Sequence, residues 1–305
     1  MVESAASSNA AHAGDGTTRF MKIGRVRVRS RYILLFQHNE LSDFASVFRF
    51  DGGESLDKPG LATWRDRRRV VLRDTAGEPH TFYLKRYVRP PLRQQIRRIL
   101  TGRPRVSTAG REWRAISALA EAGVSVPAPA AFGQKMRGWL ERRSFLVLEP
   151  ADGESLERWL PDHWRRRAAD SDARRQHRLT RALARAVGAF HAAGFVHRDM
   201  YTSHVFVAGL DEAPDAPPRV TFIDLQRVFR PRWRRIRWVV KDLAALYYST
   251  EPVASRTDRL RFWRVYLATV RRGRWKDCVP PRVVAKARRI RRHVKNQRPP
   301  APNGL

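Results

Sequence analysis

Lys85, in the stretch TFYLKRY, is one of eight lysines among the 61 cations of this 305-residue chain; the other 53 are arginine. Well downstream, His197-Arg198-Asp199 follows a long helical run, and Asp224 ends the short run VTFID. A lysine ammonium can neutralise the α and β phosphates of a nucleotide. A carboxylate such as Asp199 can take the proton of an attacking hydroxyl, and a second, Asp224, can hold magnesium, a hard cation that prefers oxygen. The lysine needs a helix carboxylate to hold it, and Glu112, 27 residues on, is the candidate. A His-Arg-Asp triplet alone arises by chance in many chains. The weight therefore rests on the order of these features and on the elements that carry them.

Between Trp64 and Tyr87 the sequence predicts two strands, RRRVVLRD and TFYLKRY, joined by a turn over Asp74 to Glu78 that contains Gly77. Alternation sets Phe82, Leu84 and Arg86 against Tyr83, Lys85 and Tyr87, which gives the lysine a defined face on a rigid element. PLRQQIRRIL carries Leu92, Ile96, Ile99 and Leu100 at helical spacing, with its arginines largely elsewhere. REWRAISALAEAG repeats that period through Trp113, Ile116 and Leu119 and stops at Gly123, so Glu112 sits on a helix packed against an open sheet. AAFGQ and SFLVLEP read as further strands. From Leu156 the character turns helical: Leu179, Leu183, Val187 and Phe190 recur at three or four residues, and Gly194 stops the run just before His197. VTFIDLQ is a strand, and KDLAALYYST opens another helical block.

In this order the residues resemble the kinase signature set, whose core is a strand lysine, an HRD catalytic loop and a metal-binding aspartate. HRDMYTSHVFV, FIDLQRV, RPRWRRIRW and KDLAALYYS are, more specifically, similar to the lipopolysaccharide kinase family that acts on heptose or Kdo of the inner core. TFYLKRY and REWRAISALAEAGVSVPAP resemble that family's amino-terminal lobe, so the likeness runs from about Trp64 to Thr250. It implies an α+β, two-lobed protein-kinase-like fold, with a small antiparallel-sheet lobe over residues 19–150 and a larger, mainly helical lobe over 151–296. Residues 1–18 and 297–305 read as flexible tails. The implied co-reactants are ATP and magnesium, and the implied substrate is an anionic glycolipid, a lipopolysaccharide core precursor.

The likeness also assigns residues. Asp199 is the expected catalytic carboxylate, with Lys85 and Arg198 beside it; a structural ion pair is the alternative for Arg198. Lys85 and Glu112 meet the nucleotide phosphates, and Glu149 to Ala151 resemble the hinge whose backbone recognises adenine. Asp224 is the metal aspartate. Five residues after Asp199, where asparagine is usual, stands His204, a poorer ligand for magnesium. Asp224-Leu225-Gln226 lacks a third-position glycine, so no phenylalanine-flip switch is expected. Arg232, Arg234 and Arg235 then become candidates to grip acceptor carboxylates or phosphates. His197 either packs the loop or joins the chemistry. Asp242 is either a carboxylate opening a helix or a partner of the catalytic-loop backbone. Gly52-Gly53 and Gly60 show no GxGxxG pattern, so the loop that covers the phosphates is not identified.

A formal charge of +32 calls for a polyanionic partner. The hydrophobic content of 42% is that of an ordinary globular chain. Cys278 is alone, which excludes an intrachain disulfide and suits a reducing compartment. No long uncharged apolar run occurs, so the expected location is cytoplasmic, with peripheral contact at the inner face of the cytoplasmic membrane through PLRQQIRRIL or RVVAKARRIRRHV. Two other readings stay open: a small-molecule phosphotransferase of the same fold, and a basic nucleic-acid-binding protein. The basic segment after Asp224 disfavours cationic acceptors. Binding nucleic acid would not require Lys85, Asp199 and Asp224, so no nucleic-acid partner is expected.

Overall fold

A computed structural model describes residues 20–23, 26–57, 63–101, 104–164, 170–210, 216–271 and 275–297. The expected tails, Gln297 apart, and Gly60 lie outside the described residues. The chain opens with the hairpin β1 (Phe20–Ile23) and β2 (Val26–Arg29), two short helices α1 (Ile33–His38) and α2 (Phe44–Arg49), and the short strand β3 (Glu54–Ser55). The two expected strands follow as β4 (Arg65–Arg73) and β5 (Pro79–Val88), then the helices α3 (Leu92–Thr101) and α4 (Thr108–Glu121), and the pair β6 (Pro129–Arg137) and β7 (Leu140–Leu148). Among the described residues these strands form one antiparallel sheet in the order β1-β2-β6-β7-β5-β4-β3.

Strand β5 is flanked on both sides, and its alternation sorts the side chains as expected. Phe82 and Leu84 enter a core with Phe36, Phe44 and Phe145 under α1 and α2, while Tyr83 and Tyr87 face the core that includes α4. The sheet is therefore covered on both faces. The segment before Trp64, expected only as an extension, supplies the second cover and three more strands. Arg86 lies on the α1/α2 side yet is buried. It pairs with Asp66 and gives Nη1 to the carbonyls of Phe48 and Phe50, at 2.8 and 2.5 Å, where α2 ends. Those donations satisfy carbonyls that the helix terminus leaves orphaned.

The carboxy-terminal lobe is built from β8 (Glu154–Ser155), α5 (Leu156–His163), α6 (Asp170–Ala192), β9 (Val205–Ala208), β10 (Arg219–Phe222), α7 (Arg235–Thr250), α8 (Arg256–Val270) and α9 (Trp275–Gln297). Leu179, Leu183, Val187 and Phe190 of α6 are all buried. Gly194 takes φ +90° beyond its end, a conformation in which a side chain would be strained. One apolar core runs from Ile116 and Leu119 of α4 through α6 and α7 to Val279 and Val283 of α9. The helix that carries Glu112 is thus packed into both lobes.

Candidate active site

Lys85 Nζ lies 2.6 Å from Glu112 Oε1 and 3.8 Å from Asp224 Oδ1, which joins the sheet, α4 and the end of β10 at one point. The Glu112 side chain is wholly buried, and its other oxygen accepts the Tyr87 hydroxyl at 3.3 Å. Burial alone would lower the Lys85 pKa; Glu112 and then Asp224 outweigh it and hold the ammonium above the ordinary lysine value. For Asp224, burial pushes upward, but neighbouring charge, Lys85 foremost, keeps the carboxyl below its usual range. The cation and the anion both stay charged at neutral pH.

The catalytic loop hangs from Asp242. This residue lies within α7, which starts at Arg235, six residues before the expected block at Lys241, so it does not open the helix. Its buried carboxylate accepts the N–H groups of His197 and Arg198, each at 2.6 Å. The backbone-partner reading is the one the geometry fits. His197 donates Nε2–H to the Ile223 carbonyl at 2.9 Å and packs on Phe190 and Phe222, and burial lowers its pKa. It is a neutral packing residue that ties the loop to the strand before Asp224. His204 donates Nδ1–H to the Asp199 carbonyl at 2.8 Å, which turns Nε2 toward Asp224 Oδ2, 3.8 Å away.

Asp224 itself has φ +56°, a left-handed conformation that aspartate tolerates better than most residues. That turn ends the strand direction and presents the carboxylate to the cleft. Asp199 is met by two cations that sequence reasoning missed: Arg227 Nη1 at 2.7 Å from Oδ2 and Lys241 Nζ at 3.7 Å from Oδ1. Arg227 stands three residues after Asp224 in FIDLQR, and only its proximity to that motif marks it in the sequence.

The cleft between the lobes is lined by Lys85, Glu112, Asp224 and His204 at one end and by Leu56, Leu148, Glu149, Ala151 and Phe206 at the other. It encloses about 930 Å³ of empty space, part of it open to solvent. Glu149 gives its N–H to the Ala128 carbonyl at 2.9 Å, and its side chain is held by Arg29 and Arg31 at 2.8 and 2.5 Å. Only its carbonyl, with the N–H of Ala151, is left to face a base. Arg67, directly across from Lys85 in the sheet and bonded through Nε to Asp57 at 3.1 Å, also lines the cleft. Sequence reasoning missed it because β4 looked like a plain basic strand.

Two of the expected site arginines lie elsewhere. Arg198 turns its guanidinium over the rings of Trp238 and Phe229, 5.2 and 5.8 Å from their centroids, so it braces the loop against the segment after Asp224. Arg235 reaches inward to the His191 carbonyl, because helix α7 begins there and turns it toward the core. Arg232 and Arg234 are exposed, as are Trp233 and Arg237.

No group of three His, Cys, Asp or Glu ligands is present among the described residues. Magnesium does not require one, since it keeps several waters and takes one or two carboxylates plus phosphate oxygens. Asp224, with His204 beside it, fits that donor set.

A strand lysine held by a helix glutamate, an aspartate on a loop pinned by its own backbone, and a second aspartate at a strand end define a phosphotransferase of the protein-kinase-like fold. The chain belongs to the lipopolysaccharide kinase (Kdo/WaaP) family, whose family model matches residues 63–266. It is 39% identical over 171 residues to the lipopolysaccharide core heptose(I) kinase WaaP of Pseudomonas aeruginosa, a match covering 55% of this chain and 62% of that protein. To the Escherichia coli protein of the same name it is 34% identical over 206 residues, 67% of this chain and 76% of the relative. A solved structure of WaaP in complex with acyl carrier protein superposes with a TM-score of 0.64 at 27% identity, covering 88% of this chain and 99% of that one.

Proposed function

We propose that this chain transfers the γ-phosphoryl group of ATP to a heptose hydroxyl of the lipopolysaccharide inner core. The observation that carries the reading is the cluster of Lys85, Glu112 and Asp224 in the cleft, linked to the Asp199 loop through His204, in a chain of this family. Lys85 neutralises the α and β phosphates, and Arg67 adds a second cation on the same wall. The Glu149 carbonyl and Ala151 N–H take the base. Asp199 accepts the proton of the acceptor hydroxyl as its oxygen bonds to the γ-phosphorus and the bond to the bridging oxygen breaks, releasing ADP. Arg227 and Lys241 face the two oxygens of Asp199. Asp224, with His204, holds magnesium, which when bound neutralises phosphate oxygens. By the same similarity an acyl carrier protein is a candidate partner.

Purified protein with labelled ATP and core glycolipid from a strain lacking this gene tests the reading. Label should appear on heptose; label on a small aminoglycoside or on nothing would reject it. Asp224→Asn should raise the magnesium concentration for half-maximal rate by at least about tenfold, the lower bound even for an outer-sphere partner of a metal. An unchanged magnesium requirement would remove Asp224 from that role. Arg232→Gln with Arg234→Gln should raise the Michaelis constant for glycolipid several-fold and leave that for ATP unchanged. Higher salt should act in the same direction, because exposed charges are screened over about 8 Å at physiological ionic strength. A double variant with an unaltered glycolipid constant would exclude these two arginines from acceptor binding.

A further inference from the structure

Helix α3 carries its polarity the opposite way from a helix packed on a sheet. Leu92, Ile96 and Leu100, spaced at i, i+4 and i+8, are 67%, 47% and 79% exposed, whereas Gln95 and Arg98 are buried at 8% and 3%. Three of the four apolar residues at helical spacing in PLRQQIRRIL therefore face outward. Hydrogen bonds explain why. Gln95 accepts the Glu141 N–H at 2.8 Å and donates to the Glu141 carbonyl at 3.2 Å. Arg98 donates to the carbonyls of Pro104 and Val106 at 2.8 and 2.7 Å, and to that of Trp139. The polar side of α3 is therefore bolted to the β6–β7 hairpin and its apolar side is forced outward.

Trp139, at the tip of that hairpin, is 57% exposed. Arg89, Arg93, Arg97, Arg137 and Arg142 are also exposed, and from Val88 to Leu100 there is no acidic residue. In the hairpin tip from Arg137 to Arg143 the one acid, Glu141, is buried. A contiguous apolar stripe fringed only by arginine, with a tryptophan at its edge, has the chemistry of an interfacial helix at an anionic bilayer. A buried protein interface would instead carry few charges at its centre.

We propose that α3 and the β6–β7 turn dock the protein on an anionic lipid surface, with Leu92, Ile96, Leu100 and Trp139 entering the headgroup boundary and the surrounding arginines meeting lipid phosphates. This rests on the reading of the acceptor as a membrane-borne glycolipid and adds the face by which the enzyme reaches it.

Flotation of the full chain with vesicles of phosphatidylcholine and phosphatidylglycerol, or of phosphatidylcholine alone, tests the proposal beside a variant carrying Leu92→Ser, Ile96→Ser, Leu100→Ser and Trp139→Ser. The parent should float with the anionic vesicles and be released by salt. The variant should partition at least about tenfold more weakly, with unchanged Tm and unchanged phosphorylation of a deacylated, water-soluble core acceptor. As a second measurement, an environment-sensitive dye on Leu100→Cys, in a Cys278→Ser background, should shift to the blue only with anionic vesicles. Equal flotation of variant and parent, or no shift of the dye, overturns the docking face. So does light scattering that shows the parent dimeric and the variant monomeric, or a loss of acyl carrier protein binding with vesicle binding intact. Vesicle binding by α3 without glycolipid phosphorylation would reject the proposed activity and leave the face standing.

Discussion

Asp199→Asn should lower turnover by about two to four orders of magnitude, the range lost when a positioned general base is removed, while the protein stays folded. The substitution keeps the shape of the side chain, so the backbone contacts of the loop, which run through Asp242 rather than Asp199, persist. What is lost is the charge that faces Arg227 and Lys241. Arg227 is nearly half exposed, so water replaces its partner, and a pair of this kind contributes about 1 kcal/mol or less. The Tm should therefore move by only a few degrees. The fall should lie in kcat, with the Michaelis constant for ATP little changed, because Asp199 meets the acceptor hydroxyl and not the nucleotide. Near-parental transfer by a well-folded Asp199→Asn protein would take the general-base role away from this residue.

The parts of the site that were legible in the sequence share one property: they sit on elements whose own pattern fixes a direction. Lys85 could be assigned a face because β5 alternates, and Glu112 could be paired with it because α4 has a clear period and a glycine stop. Asp224 was legible as the residue at which a strand ends. What escaped were contacts made by residues far apart in sequence or by side chains that run against their local pattern. Arg29 and Arg31 reach Glu149 across about 120 residues, through a hairpin whose four-residue strands are too short to show alternation. Arg67 reads as one arginine in a row of three, and only its register opposite Lys85 brings it to the cleft. Arg235 was expected at the acceptor because it lies in a basic run, yet the start of α7 turns it inward. Helix α3 formed where its spacing put it, but its orientation was not legible. Periodicity finds the apolar stripe of a helix but does not say which way that stripe points, and the buried bonds of Gln95 and Arg98 decide it.

Lys85→Met should cost both activity and stability, and the two losses can be separated. Removing the cation that meets the α and β phosphates should lower turnover by about a hundred- to a thousandfold, the usual effect of deleting one preorganised electrostatic group. The same change strands Glu112, whose side chain has no exposure, as an unpaired buried anion. Breaking a buried pair in this way costs about 3–5 kcal/mol, which in a chain of this size should lower the Tm by on the order of 10 °C. The folded-state pKa of Lys85 lies above its ordinary value because Glu112 and Asp224 outweigh burial. Its stabilisation is therefore complete below the ordinary lysine value and is lost only as pH rises through the higher folded one, so the Tm difference should be constant from pH 7 to pH 9. Combining Lys85→Met with Glu112→Gln removes the stranded charge, keeps an acceptor for the Tyr87 hydroxyl and should return most of the lost Tm, since a neutral buried pair is often as stable as an ionic one. Activity should stay low. Recovery of turnover along with Tm in the double variant would mean that Lys85 serves only to neutralise Glu112, and the assignment of its charge to the nucleotide phosphates would fall.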